Sequence, residues 1–146
     1  MRKIIVLLTV IWLSGCVMTS FVTGPEKQFQ DAAVSVKEKR YKEATASYNK
    51  IMVDSPDSTL AADALFELAL VSAHYDNPKK DYTQATHSFA EFLKRYPDNR
   101  RADEARTWIS VLRTVQELKK QNERLNESIE KLQKLDIRHE EKRKRK

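Results

Sequence analysis

Ten residues near the start of the chain, Ile4 to Leu13, are apolar apart from Thr9. Downstream, apolar residues recur at the three- and four-residue spacing that lines one face of a helix. Phe29, Ala32, Ala33 and Val36 make one such face, and Tyr41, Ala44, Tyr48 and Ile51 a second. Leu65, Leu68, Ala69 and Ser72 make a third, and Tyr82, Ala85, Phe89 and Phe92 a fourth. The third helix differs from the rest: TLAADALFELALVSAHY, residues 59 to 75, is apolar nearly all round and adds Phe66, Leu70 and Val71 to the expected core positions. A helix of that kind belongs between two layers, here as the middle helix of a short stack. After Asn99 come Ala102, Ala105, Trp108, Ile109 and Leu112, and then the spacing settles into heptads. Val115, Asn122 and Ile129 fall at a, and Val111, Leu118, Leu125 and Leu132 at d. No Gly or Pro occurs from residue 98 to 146, so one long helix is expected to cap the stack and then project from it.

A shift of 41 residues lays the chain on itself. Tyr41, Ala44, Tyr48, Ile51 and Pro56-Asp57 meet Tyr82, Ala85, Phe89, Phe92 and Pro97-Asp98, and then Ala61, Asp63 and Ala64 meet Ala102, Glu104 and Ala105. An alanine at a fixed helical position admits a neighbouring helix closely, an aromatic one turn later fills the gap, and a proline stops the helix. The pattern resembles the second half of a tetratricopeptide repeat, and it implies an all-α, short solenoid of helical hairpins. The period exceeds the usual length of about 34 residues because Tyr75 to Asp81 lengthen the second repeat. Asp81 is the expected N-cap of the next helix, with Gln84 at its third position. The added loop reads as a surface insertion, with a partner contact through Tyr75, Lys79 or Lys80 as the sharper alternative.

Composition narrows the chemistry. Both glycines, Gly15 and Gly24, precede the repeats, which leaves no residue suited to a phosphate-cradling loop. His74, His87 and His139 share no metal-ligand spacing, and no strand-turn-helix elbow brings a nucleophile to a base. The chain is therefore expected not to be an enzyme and to hold no metal.

The opening apolar run has its own logic. Arg2 and Lys3 precede it, and Ser14-Gly15 supply small residues just ahead of Cys16, the single cysteine. The run is shorter than the roughly 20 residues a membrane-spanning helix needs. Leu13-Ser14-Gly15-Cys16 resembles a bacterial lipobox, which implies cleavage before Cys16 and a diacylglyceryl and N-acyl lipid on that residue. No other cofactor is expected. An ordinary signal peptide with a coincidental cysteine is the alternative. Val17 in place of Asp implies, by the sorting rule that accompanies the resemblance, an exported protein at the periplasmic face of the outer membrane.

Charge follows the same division. The formal net charge is +6, yet residues 16 to 136 hold 19 basic and 19 acidic side chains. The excess sits in the leader and in residues 137 to 146, which end in EEKRKRK. A basic nucleic-acid-binding face on the domain is thereby excluded. The basic end reads as a solvated helix terminus, or as a contact for anionic head groups or an acidic partner.

Two surfaces are candidates for binding. Phe66, Leu70 and His74 would line a groove for a peptide or helix, unless burial between layers claims them. Val115, Leu118, Asn122, Leu125, Ile129 and Leu132 form a seam with β-branched a positions, leucine at d and one Asn at a, the combination of a parallel two-stranded coiled coil. A second copy, a fold-back onto the repeats, or a solvated helix awaiting another partner are the three readings of that seam.

The stretch SFAEFLKRYPDNRRADEARTWI, residues 88 to 109, is similar to the repeats of two envelope families. These are the BamD (YfiO-like) lipoproteins of outer-membrane β-barrel assembly and the CpoB (YbgF-like) proteins linked to Tol-Pal. Phe89, Phe92, Leu93, Tyr96 and Pro97 carry the resemblance. The order of repeats and coiled coil differs from CpoB-like proteins, and BamD-like proteins have further repeats. The organisation expected is a signal peptide at 1–15, a lipid-anchored tether at 16–25, repeats at 26–112 and a coiled-coil helix with a basic tail at 113–146. The resemblance implies an outer-membrane scaffold that binds envelope proteins, among them outer-membrane assembly or Tol-Pal components. A dimeric spacer, an envelope-binding lipoprotein or a secretion-system pilotin are the alternatives.

Overall fold

The computed structural model describes residues 24–145, so the apolar leader, the lipobox and Cys16 lie outside the described residues. Five helices follow one another: α1 (Gly24–Lys37), α2 (Tyr41–Asp54), α3 (Thr59–Ala73), α4 (Tyr82–Arg95) and α5 (Ala102–Lys144). Among the described residues there is no strand. Each helix packs on the next, and α1 also touches α3, which is the neighbour relation of stacked helical hairpins.

The residues matched by the 41-residue shift do equivalent work. Ala44 and Ala85 are fully buried, as are Ala64 and Ala105, and they let adjacent helix backbones approach. Tyr48 and Phe89 fill the next layer, followed by Ile51 and Phe92. Burial pushes the Tyr48 phenol up to about 12, with the charge of Glu67 adding to the effect. Phe29 of α1 meets the Tyr48 ring edge-on at 5.4 Å between centroids.

Helix α3 serves two cores at once, which is why its sequence is apolar nearly all round. Ala64 and Val71 face α1 and α2, packing with Ala32, Tyr41, Ala44, Tyr48 and Ile51. Ala62, Leu65, Phe66 and Ala69 face the other way, onto Ala85, Phe89, Phe92, Ala105 and Leu112 of α4 and α5.

Local chemistry sets the helix ends. The Ser58 hydroxyl accepts from the Ala61 N–H at 3.0 Å and caps α3. Asp81 caps α4 as expected, accepting from the N–H groups of Thr83 and Gln84 at 2.8 and 2.9 Å. Helix α1 ends in a Schellman motif: the Arg40 N–H donates to the Ser35 carbonyl and the Lys39 N–H to that of Val36. Lys39 occupies the left-handed position of that motif, at φ 61°, where glycine is the usual residue.

Candidate functional site

The helix expected to carry a groove, α3, is committed to the interior at Phe66, which has no exposed surface. Its ring meets Phe89 and Phe92 edge-on at 5.0 and 5.3 Å between centroids. Arg101, just before α5, places its guanidinium carbon 3.4 Å from the Phe66 centroid and covers the remaining face. The expectation that Phe66 lines a groove therefore gives way to a core role: a side chain needed by both α4 and α5 has nothing left to offer a partner. Leu70 is half-buried and packs against the same cluster.

Arg101 is a residue the sequence reading passed over. It donates to Glu67 Oε1 at 2.8 Å and from Nε to Glu104 Oε2 at 3.1 Å, joining α3 to the first turn of α5. Burial works against its charge, but the hydrogen bonds it donates to Glu104 and Glu67 outweigh that and hold the guanidinium above its ordinary value. The Arg101 bond in turn holds the Glu104 carboxyl below its usual range. Only the unusual pair Arg100-Arg101 before a helix start hints at this in the sequence, because its partner Glu67 lies 34 residues away.

His74 is a joint of the fold. Its Nδ1 lies 3.0 Å from the Tyr41 hydroxyl and accepts from the Asp76 N–H at 3.3 Å. With Nδ1 accepting, the neutral ring carries its proton on Nε2. The imidazole also stacks on Tyr75 at 4.9 Å between centroids. The inserted loop beyond it is built around buried Asn77, whose amide donates to the Val71 carbonyl and accepts from the Lys79 N–H, both at 2.9 Å. Lys39 bridges to Asp76 at 2.6 Å and lowers that carboxyl's affinity for a proton. Tyr75, just after the C-cap of α3, remains 75% exposed, and Lys79 and Lys80 are exposed beside it. Phe66, Leu70 and His74 thus do not converge on one binding wall.

The second candidate surface presents the opposite picture. Helix α5 packs on α4 through Ala102, Ala105, Ile109 and Leu112, and Gln116 ends that contact by donating to the Thr83 hydroxyl at 3.0 Å. Every residue from Glu117 to Arg145 is exposed. The helix does not fold back, so that reading of the seam is set aside. Val115 is 36% exposed, Leu118 58%, Leu125 64%, Ile129 51% and Leu132 62%, a stripe with no cover among the described residues. Asn122 lies within the stripe and accepts a hydrogen bond from Asn126 at 3.0 Å. Where α5 leaves the stack, Lys80, Tyr82, Thr83, Gln116, Lys119 and Lys120 border an open cleft of about 350 Å³.

Among the described residues, no group of three or more His, Cys, Asp or Glu is placed to hold a metal ion. No described helix is long and apolar enough to cross a membrane.

Helical hairpins joined through buried alanines and aromatics, with a long final helix, define a tetratricopeptide-like repeat protein. The chain belongs to the YfiO family, described as outer membrane lipoproteins, which matches residues 23–143. A comparison with the curated proteins finds no match.

Proposed function

We propose that the chain is a non-enzymatic scaffold, anchored to the outer membrane by lipid on Cys16, that holds another envelope protein during outer-membrane biogenesis of the β-barrel-assembly kind. The observation that carries this reading is the family match over residues 23–143, which falls on a stack whose buried polar side chains, among the described residues, all have hydrogen-bond partners. His74, the one titratable member of the candidate groove, is tied to Tyr41 and Asp76. What the molecule offers outward is protein-sized surface: the loop at Tyr75 and the length of α5. No cofactor enters this reading apart from the diacylglyceryl and N-acyl groups on Cys16.

The test is photo-crosslinking in the native cells from Tyr75, Lys79 and Lys119, with captured proteins identified by mass spectrometry. Deletion of the gene should lower outer-membrane β-barrel content, and Cys16→Ser should reproduce that loss by releasing the anchor. Unchanged β-barrel content together with capture of no envelope protein would refute the scaffold.

A second reading, a spacer that sets distance within the envelope, draws on α5 itself. Forty-three residues of continuous helix carry the basic segment Lys142–Arg145 well away from the stack. Truncation before Arg138 separates the two: a spacer that touches an anionic surface loses that contact, whereas a scaffold keeps its partners.

A further inference from the structure

Helix α5 has two apolar faces pointing in different directions. Ala105, Ile109, Leu112 and Gln116 face the stack. The stripe of Val115, Leu118, Asn122, Leu125, Ile129 and Leu132 is centred roughly 140° around the helix from it, at 3.6 residues per turn. Helix α4 is thus on the wrong side to cover the stripe. The stripe also runs 16 residues beyond Gln116, the last contact with the stack, which is about 24 Å of helix. A further repeat helix of ordinary length laid on the stack would leave that outer part bare.

Charge along α5 is sorted as sharply as hydropathy. The e and g positions beside the stripe are Lys119, Gln121, Asn126, Ser128 and Gln133, and only Lys119 is charged. Every other charged residue from Glu117 to Lys134 falls at b, c or f, on the outer side of the helix. A foreign coiled-coil partner is ordinarily selected by charges at e and g, and here there are almost none to read. A second copy meets no like charge, because Lys119 then faces the neutral Thr114 of its partner.

We propose that the stripe binds the stripe of a second copy, forming a parallel two-stranded coiled coil through residues 115–132. Asn122 fixes the direction. In parallel register its amide meets the same amide across the seam, donor to acceptor, whereas an antiparallel pair sets it against a leucine at d and leaves it unpaired. The β-branched a positions Val115 and Ile129 with leucine at every d favour two strands over three. Asp136 at a and His139 at d end the seam, and beyond them the two basic tails diverge. Two lipid-anchored copies rising from one membrane surface are already oriented for parallel pairing. The inference goes beyond the scaffold reading and stands or falls separately from it.

The test uses the full chain in detergent, free of other proteins. Light scattering should give twice the mass of one chain, and Leu118→Asp with Leu125→Asp should return it to one while the helical signal of the stack melts unchanged. In a Cys16→Ser background, Leu118→Cys and Leu132→Cys should each form a same-site disulfide between copies, and outward-facing Glu127→Cys should not. A single-chain mass at every concentration overturns the proposal. So does a disulfide that forms only when Leu118→Cys and Ile129→Cys chains are mixed, which is the antiparallel outcome because a then faces d. If the double Asp variant is monomeric in detergent yet still captures its envelope partner in cells, both the dimer and the scaffold stand.

Discussion

Helices α3 and α5 show two ways a helix in one small protein can spend its apolar residues. Over 15 residues α3 buries seven, divided between two cores. Helix α5 runs for 43 residues and buries three, all in its first 11 positions. The first is also rich in the strong helix formers Ala and Leu, and it is held by packing on both sides. The second is written in residues that favour helix intrinsically, Glu, Lys, Leu, Gln and Arg, and places its apolar stripe where no other described residue meets it. Hydropathy alone therefore does not say where a helix is buried; the angular distribution of apolar positions does.

Substitution at the centre of each helix should separate these roles most strongly. Phe66→Ala removes a ring packed by Phe89, Phe92 and Arg101 and should cost about 3–5 kcal/mol, seen as early loss of helical signal in denaturant. Leu125→Ala should change the melting of the stack by less than about 0.5 kcal/mol, since it touches nothing there. A comparable loss from Leu125→Ala would break the distinction.

Arg101→Met is a finer probe of the α3–α5 junction. It keeps an aliphatic stem near Phe66 and removes the charge, and it should cost about 1 kcal/mol in a denaturation midpoint, most of it cation–π contact and pairing with Glu67. Because that residue contacts the stack alone, the exposed part of α5 should be unaffected.

Lys39→Gly tests the stack from the other end. Glycine adopts φ 61° freely, whereas lysine is strained there, and the gain should outweigh loss of the exposed bridge to Asp76. A rise of about 2–5 °C in the melting temperature is expected.

The smallest effect is in acid. Glu104 binds a proton less readily in the fold than when unfolded, because Arg101 favours its charged form. That contribution is complete above the ordinary value of 4.5 and disappears as pH falls through the lowered one. The gap between the melting temperatures of the native chain and of Arg101→Met should therefore narrow as pH falls below 4.5, leaving the part that the contact with Phe66 supplies; a constant gap would remove Glu104 from the account.

Much of the fold could be read in the sequence because repeats state each contact twice. Ala44 with Ala85 and Tyr48 with Phe89 identify interior positions by agreement across the shift, and Asp81 announces its helix by local chemistry. The candidate groove was less legible for a physical reason. When a helix is apolar all round, its periodicity no longer marks an outward face, so the sequence leaves both burial and a groove open for Phe66, which has no exposed surface. His74 and Arg101 are hidden differently: their roles depend on Tyr41 and Glu67, each more than 30 residues distant in sequence. The end of α1 was illegible because its left-handed residue is a lysine, where glycine would have marked the turn.

The unbroken run of α5 from the stack to its tip also has a mechanical meaning. Leu112 and Gln116 clamp one end, and the free portion to Lys144 extends about 40 Å at 1.5 Å per residue. Such a rod is a lever whose fulcrum lies beside α4. A tilt of about 5° at the clamp carries the tip through roughly 3–4 Å over that length. A tilt imposed beside Thr83 would therefore be read out as a larger displacement at the far end of the helix than at the clamp.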